Sequence, residues 1–140
     1  QGKKYEYVML LQPTSPLRTS KHIDSALELM WAKNATVVVS VCETEHPIGW
    51  MGYLSKDLMM DEFLDNLTTD LSNDDDRASY QINGAIYLVK TSTLVTEKTL
   101  FPTPGAYAHI MERSDSIDID TELDLDYASY LMTRRARKFT

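Results

Sequence analysis

The sequence predicts an α/β domain in which strands alternate with helical crossovers. Tyr5–Leu11 (YEYVMLL) is a short, nearly continuous apolar run, the pattern of a strand covered on both faces. After an amphipathic helical stretch, Thr36–Glu43 (TVVVSVCE) repeats that pattern with β-branched residues. Strand, helix and strand in succession make one right-handed βαβ crossover and a parallel pair. The acidic stretch Ser116–Asp126 (SIDIDTELDLD) is where the chemical promise concentrates.

In order along the chain, Gln12–Arg18 (QPTSPLR) follows the first strand as a loop stiffened by Pro13 and Pro16, which fix backbone angles and withhold amide donors. It offers the hydroxyls of Thr14 and Ser15 and the longer side chains of Gln12 and Arg18. Ligands of such sheets bind just past the carboxyl ends of strands, so the loop is either a ligand contact or a stiff connector. Thr19 or Ser20 then caps a helix to about Lys33, whose stripe of Ile23, Ala26, Leu27, Met30 and Trp31 is expected to be core. Cys42, the single cysteine, excludes an internal disulfide and reads as a small core residue.

From Glu45 to Arg77 the periodicity loosens, and Trp50, Met51, Tyr53, Leu54, Met59 and Met60 supply apolar surface of the kind found in interfaces. Asp70–Arg77 is an acidic run with the character of a solvated loop. Tyr80–Lys90 (YQINGAIYLVK) returns to strand character, and Gly84 within it marks a bulge or a close approach to the backbone. Asn83 and Tyr87, four residues apart, share a face of that strand. A short helical turn follows Thr91, and Ala106–Glu112 reads as a last strand with His109 as a hydrogen-bonded structural histidine. His22 and His46 have the same reading.

In Ser116–Asp126, an extended strand sends Ile117 and Ile119 to one face and Asp118 and Asp120 to the other. Thr121 and Asp124 have capping-box spacing, opening a final helix with the stripe Leu123, Tyr127, Tyr130 and Leu131. Paired carboxylates at a strand end suit a hard cation such as magnesium. The competing reading is helix capping, which accounts well for Glu122, Asp124 and Asp126, poorly for Asp118, and leaves Asp120 open. Arg134, Arg135, Arg137 and Lys138 complement the negative pole of that helix.

The 140 residues suit one domain with a proper core, and the net charge of −7 argues against a nucleic-acid surface. No apolar run approaches the ~18 residues of a membrane span, no signal peptide is visible, and the reading is a soluble, cytoplasmic protein. No serine triad, zinc spacing or glycine-rich phosphate loop stands out.

Three segments together resemble the acylneuraminate (CMP-sialic acid) cytidylyltransferases: LLQPTSPLR at Leu10–Arg18, NGAIYL at Asn83–Leu88 and SIDIDTELDLDYA at Ser116–Ala128. The resemblance implies a three-layer, Rossmann-like nucleotidyltransferase fold with a mixed, mostly parallel sheet, truncated at its N-terminus before the loop that binds the CTP triphosphate. It implies transfer of CMP from CTP to a nine-carbon keto-sugar acid, with release of pyrophosphate. Asp118 and Asp120 would hold Mg²⁺, Gln12 would hydrogen-bond the sugar, and Thr14 and Ser15 would shape the loop. Asn83 and Tyr87 would line the same cavity, and Phe101 would close its apolar corner. It further implies a homodimer, with residues 45–77 reaching into the partner subunit. Where the family carries an arginine for the sugar carboxylate, this chain has Asn73, and Arg77 is the nearest candidate. The expectation for the chain by itself is inactivity. A competing expectation is a non-catalytic α/β module that associates with itself.

Overall fold

The computed structural model describes residues 3–65 and 78–137. They divide into two compact units, Glu43–Gln81 and the remainder. The larger unit carries a four-stranded sheet of β1 (Tyr7–Leu10), β2 (Val37–Glu43), β3 (Tyr80–Lys90) and β4 (Ala106–Ile110), in the order β1-β3-β2-β4. Helix α1 (Ser20–Ala32) joins β1 to β2, α2 (Thr91–Glu97) follows β3, and α3 (Glu122–Arg137) closes the described chain.

β1 runs antiparallel to β3, with Tyr7 opposite Lys90 and Leu10 opposite Tyr87. Lys90 N donates to Thr36 O at one end of β2, and Thr44 N to Ser79 O at the other, so β2 is also antiparallel to β3. β4 lies parallel to β2, from Val37 opposite Ala106 to Val41 opposite Ile110. β1, β2 and β4 therefore point one way and β3 the other, giving an open mixed α/β sheet. The pair expected from the first crossover is parallel in direction but not adjacent, because β3 enters between β1 and β2. Strands contributed 80 residues later compete for the same edge, and local pattern carries no information on that.

Alternation explains which side chains reach the core. The Asn83–Val89 part of β3 is buried throughout, and in β2 Val37, Val38, Ser40 and Cys42 are buried with Val39 and Val41 half-buried, as expected of central strands. β1 alternates half-buried with exposed residues, because an edge strand is covered on one face only; Val8 and Leu10 are exposed, against the expectation of cover on both faces. From α1, Ala26 and Met30 pack with Val38, Ile86, Leu88 and Met111, and Ile23 and Leu27 pack against that cluster. Trp31 departs from the expected core stripe and is 59% exposed. Each helical residue turns about 100° from the last, so Met30 takes the inward position and its neighbour swings to the flank.

The final helix differs more. Leu123, Tyr127 and Tyr130 are exposed, while Ala128 is buried, with Asp124, Leu131 and Arg135 half-buried at helical spacing. The inward stripe is thus polar at both ends: Arg135 Nη2 bonds to the Asp115 carboxylate and donates to Ser114 O at 2.9 Å. Tertiary polar partners, invisible in the periodicity, rotated the helix away from its most apolar face.

In the unit Glu43–Gln81, His46 stacks on Trp50 with ring centroids 5.8 Å apart, and Trp50, Met51, Tyr53 and Leu54 are exposed. Asn73 and Arg77 lie outside the described residues. No described helix is long and apolar enough to cross a membrane.

Candidate active site

The carboxyl ends of β1, β2 and β4 share one edge of the sheet, where open α/β sheets place their ligands. Gln12–Arg18 leaves β1 at that edge and folds across β3. Its hold on β3 is Arg18, whose Nη1 donates to Gln12 O at 3.0 Å and to Ala85 O at 2.9 Å. Ser15 N donates to Gln12 O at 3.3 Å, and Ser15 itself is fully buried, with no hydrogen-bond partner for its Oγ.

Beneath the loop β3 carries Gly84 at φ +73, a conformation that side chains with a Cβ rarely adopt. The glycine also opens space. Gln12 Oε1 lies where a Cβ on Gly84 would sit, and Asp118 Oδ2 is 3.5 Å from that same position. Gln12 and Asp118, from segments far apart in sequence, therefore converge over a bare stretch of backbone.

The segment 116–121 that presents Asp118 joins no sheet ladder, a correction to the expected strand. It is pinned by Ile119 N, which donates to Thr14 O at 2.9 Å, and by Asn83 Nδ2, which donates to Ser116 Oγ at 2.8 Å. The expected capping box is present: Asp124 N donates to Thr121 Oγ1 at 3.4 Å and the Thr121 amide donates to Asp124 Oδ2 at 2.8 Å, with Thr121 Oγ1 also donating to that oxygen at 2.7 Å. The Thr121 hydroxyl, then its amide, hold the Asp124 carboxyl below its ordinary range. Asp120 is exposed, and its amide donates to Asp124 Oδ2 at 3.2 Å. Asp118 is half-buried, and its Oδ1 is buried with no hydrogen-bond partner.

A buried carboxylate oxygen without a donor is costly, and a cation is one group that satisfies it. Among the described residues, no cluster of three or more His, Cys, Asp or Glu side chains is placed to hold a metal ion. Mg²⁺ is one cation of that kind, since it is commonly bound by one or two carboxylates and takes its other ligands from phosphates and water.

Farther along β3, Tyr87 is nearly buried and meets Phe101 edge to face, ring centroids 5.8 Å apart at 83°. Asn83 is buried, and its Oδ1 accepts from Ser40 Oγ at 2.5 Å and from Ala85 N at 3.2 Å. The structure thus brings Gln12, Asp118 and Gly84 together, joins Thr14 to that group through backbone, and sets Tyr87 with Phe101 beside it on β3.

The histidines lie elsewhere. His22 Nδ1 accepts from Thr19 N at 3.1 Å, completing the cap of α1, and His22 Nε2 is 3.3 Å from Asp115 Oδ2. His109 is half-buried with its Nε2 lacking a partner, contrary to the hydrogen-bonded histidine expected. Burial, then the neighbouring His22, lower its pKa from the ordinary 6.5.

The chain is 33% identical over 137 residues to the N-acylneuraminate cytidylyltransferase of Escherichia coli, a match covering 96% of this chain and 32% of that protein. The chain is a homologue of the acylneuraminate cytidylyltransferases. The Streptococcus agalactiae protein of the same name is 36% identical over 117 residues, covering 83% of this chain and 28% of its own length. The CMP-N,N'-diacetyllegionaminic acid synthase of Legionella pneumophila is 28% identical over 130 residues, covering 91% and 54%. The chain thus spans about a third of the length of the first of these cytidylyltransferase relatives. No protein-family model matches it.

Ser40 and Ser116 escaped the sequence reading as site-building residues, and Arg18, read there as a long side chain of the loop, instead ties the loop to Ala85 O. A signal existed for Ser40: a lone hydroxyl inside an apolar central strand must find a partner when buried.

Proposed function

We propose that this chain forms the acceptor-sugar and cation side of a site that transfers CMP from CTP to a nine-carbon keto-sugar acid, sialic acid or a relative. The observation that carries this reading is the convergence of Gln12 and Asp118 over Gly84, with Asp118 Oδ1 buried and without a hydrogen-bond partner. The names of the homologous proteins support the substrate class.

In the reaction the sugar's anomeric oxygen bonds to the α-phosphorus of CTP as the bond to the departing pyrophosphate breaks. Such transfer depends chiefly on positioning and on neutralising phosphate charge. Asp118, assisted by Asp120, would hold Mg²⁺, which supplies that neutralisation when bound. The Gln12 amide would orient the sugar by hydrogen bonding, with Thr14 and Ser15 shaping the loop around it. Asn83 would border the cavity through its remaining amide hydrogen, and Tyr87 with Phe101 would pack on the sugar's acyl substituent. Arg77 is the proposed partner of the sugar carboxylate.

Within the full-length enzyme, Asp118→Asn should lower CTP-dependent pyrophosphate release by at least the ~100-fold that loss of even an outer-shell metal partner can cost. Gln12→Ala should chiefly raise KM for the sugar. Unchanged turnover in Asp118→Asn removes the cation role.

The exposed Trp50, Met51, Tyr53 and Leu54 support self-association as a homodimer. Sedimentation at rising concentration should give a dimer, and a strictly monomeric species defeats that reading.

A further inference from the structure

Asp118 sits in a segment that no ladder stabilises, so its placement depends on individual anchors. One is backbone, the Ile119 amide on Thr14 O at 2.9 Å. The other is a chain of side chains that starts in the middle of the sheet. Ile86 N donates to Ser40 Oγ at 2.7 Å, and Ser40 Oγ donates to Asn83 Oδ1 at 2.5 Å. Asn83 Nδ2 donates to Ser116 Oγ at 2.8 Å, and Ser116 Oγ donates to Glu112 O at 2.8 Å.

Each link dictates the next. The backbone amide of Ile86 occupies a Ser40 lone pair, and the hydroxyl has two acceptors within reach, Asn83 Oδ1 at 2.5 Å and Ile86 O at 3.2 Å, of which the nearer takes the proton. That proton, together with Ala85 N, requires the oxygen end of the Asn83 amide to face them. The nitrogen end is then obliged to point at Ser116, whose own proton is committed to Glu112. The series reads donor to acceptor in one direction from β3 to the segment 112–116, and the Ala85 amide holds the oxygen end of Asn83 on the Ser40 side. Ser40 and Asn83 are buried, so water cannot replace a missing link.

We infer that Ser40 is a positioning residue for the Asp118 carboxylate, acting through Asn83 and Ser116. The role rests on the reading of Asp118 as a cation ligand. Ser40 touches neither cation nor substrate; it fixes the orientation of the amide that tethers Ser116, two residues ahead of Asp118.

The test is Mn²⁺ titration of the isotope-labelled chain, following paramagnetic broadening of the Gly84 and Ile119 amide signals. Ser40→Ala and Ser116→Ala should each need about tenfold more Mn²⁺ for half-maximal broadening, as for loss of other outer-shell partners. Ser116→Thr, which keeps the hydroxyl, should restore the native midpoint. A purely structural role lowers the unfolding temperature but leaves the folded protein's Mn²⁺ midpoint unchanged. Should Ser40→Ala fail to fold, the half-buried Ser116 carries the test. Native midpoints in the alanine variants, with broadening lost in Asp118→Asn, overturn the relay and leave the cation site standing. Broadening that survives Asp118→Asn overturns the cation site and, with it, any role of Ser40 toward it.

Discussion

Replacing Gly84 with alanine perturbs the site at its narrowest point, and two effects add. At φ +73 an alanine is held in the left-handed region, which costs about 1–2 kcal/mol for an L-residue. The strand cannot relax to relieve it, because Ala85, Ile86, Leu88 and Val89 are fully or almost fully buried on its carboxyl side. The new methyl also takes the space of Gln12 Oε1. That oxygen ends a flexible side chain, so the clash costs little stability but moves Gln12 away from Asp118. Thermal unfolding by circular dichroism should show a midpoint about 3 to 8 °C lower for a domain of this size. Sugar binding by the folded protein should weaken as well. Gly84→Asn should lose less stability, since asparagine enters the left-handed region more readily. An unchanged midpoint in Gly84→Ala would refute the reasoning.

Arg18→Met keeps the aliphatic stem but removes the two bonds to Gln12 O and Ala85 O. Bonds from a charged donor are worth roughly 1.5–3 kcal/mol each, toward the lower end at this half-buried position, so urea unfolding should show a loss of about 2–4 kcal/mol. His109 resists protonation when folded, because burial lowers its pKa from 6.5. The unfolded chain takes up that proton more readily, so stability is full above about pH 6.5 and falls as pH is lowered through that value. The groups facing it are His22, and through His22 the Asp115–Arg135 pair. His109→Leu should flatten the unfolding midpoint between pH 7 and 5.5, and an unaltered slope would count against the assignment.

Local pattern located most elements closely. The β-branched run expected at Thr36–Glu43 is β2 at Val37–Glu43, and α1 ends one residue before the predicted Lys33. Periodicity reports the centre of a buried face but not its width, which is why Met30 was legible and the exposure of Trp31 was not. Strand order was beyond reach, since β3 is placed by pairings between residues about eighty apart. Within the site, the capping box at Thr121 is a short-range feature and was readable from spacing. The meeting of Gln12, Gly84 and Asp118 is long-range, and only the likeness of three separate segments to one family hinted at it. The Ser40 chain left a single trace, one hydroxyl among valines.

The insertion of β3 between the first two strands also sets the tempo of self-assembly. During synthesis β1, α1 and β2 emerge early, yet neither strand can meet its proper neighbour until Tyr80–Lys90 has followed. Ring closure over so long a contour carries a large entropic penalty before any pairing rewards it. The meeting of Gln12, Gly84 and Asp118 therefore waits on one late-arriving strand, to which the loop after β1 is tied by Arg18 and the segment carrying Asp118 by Asn83.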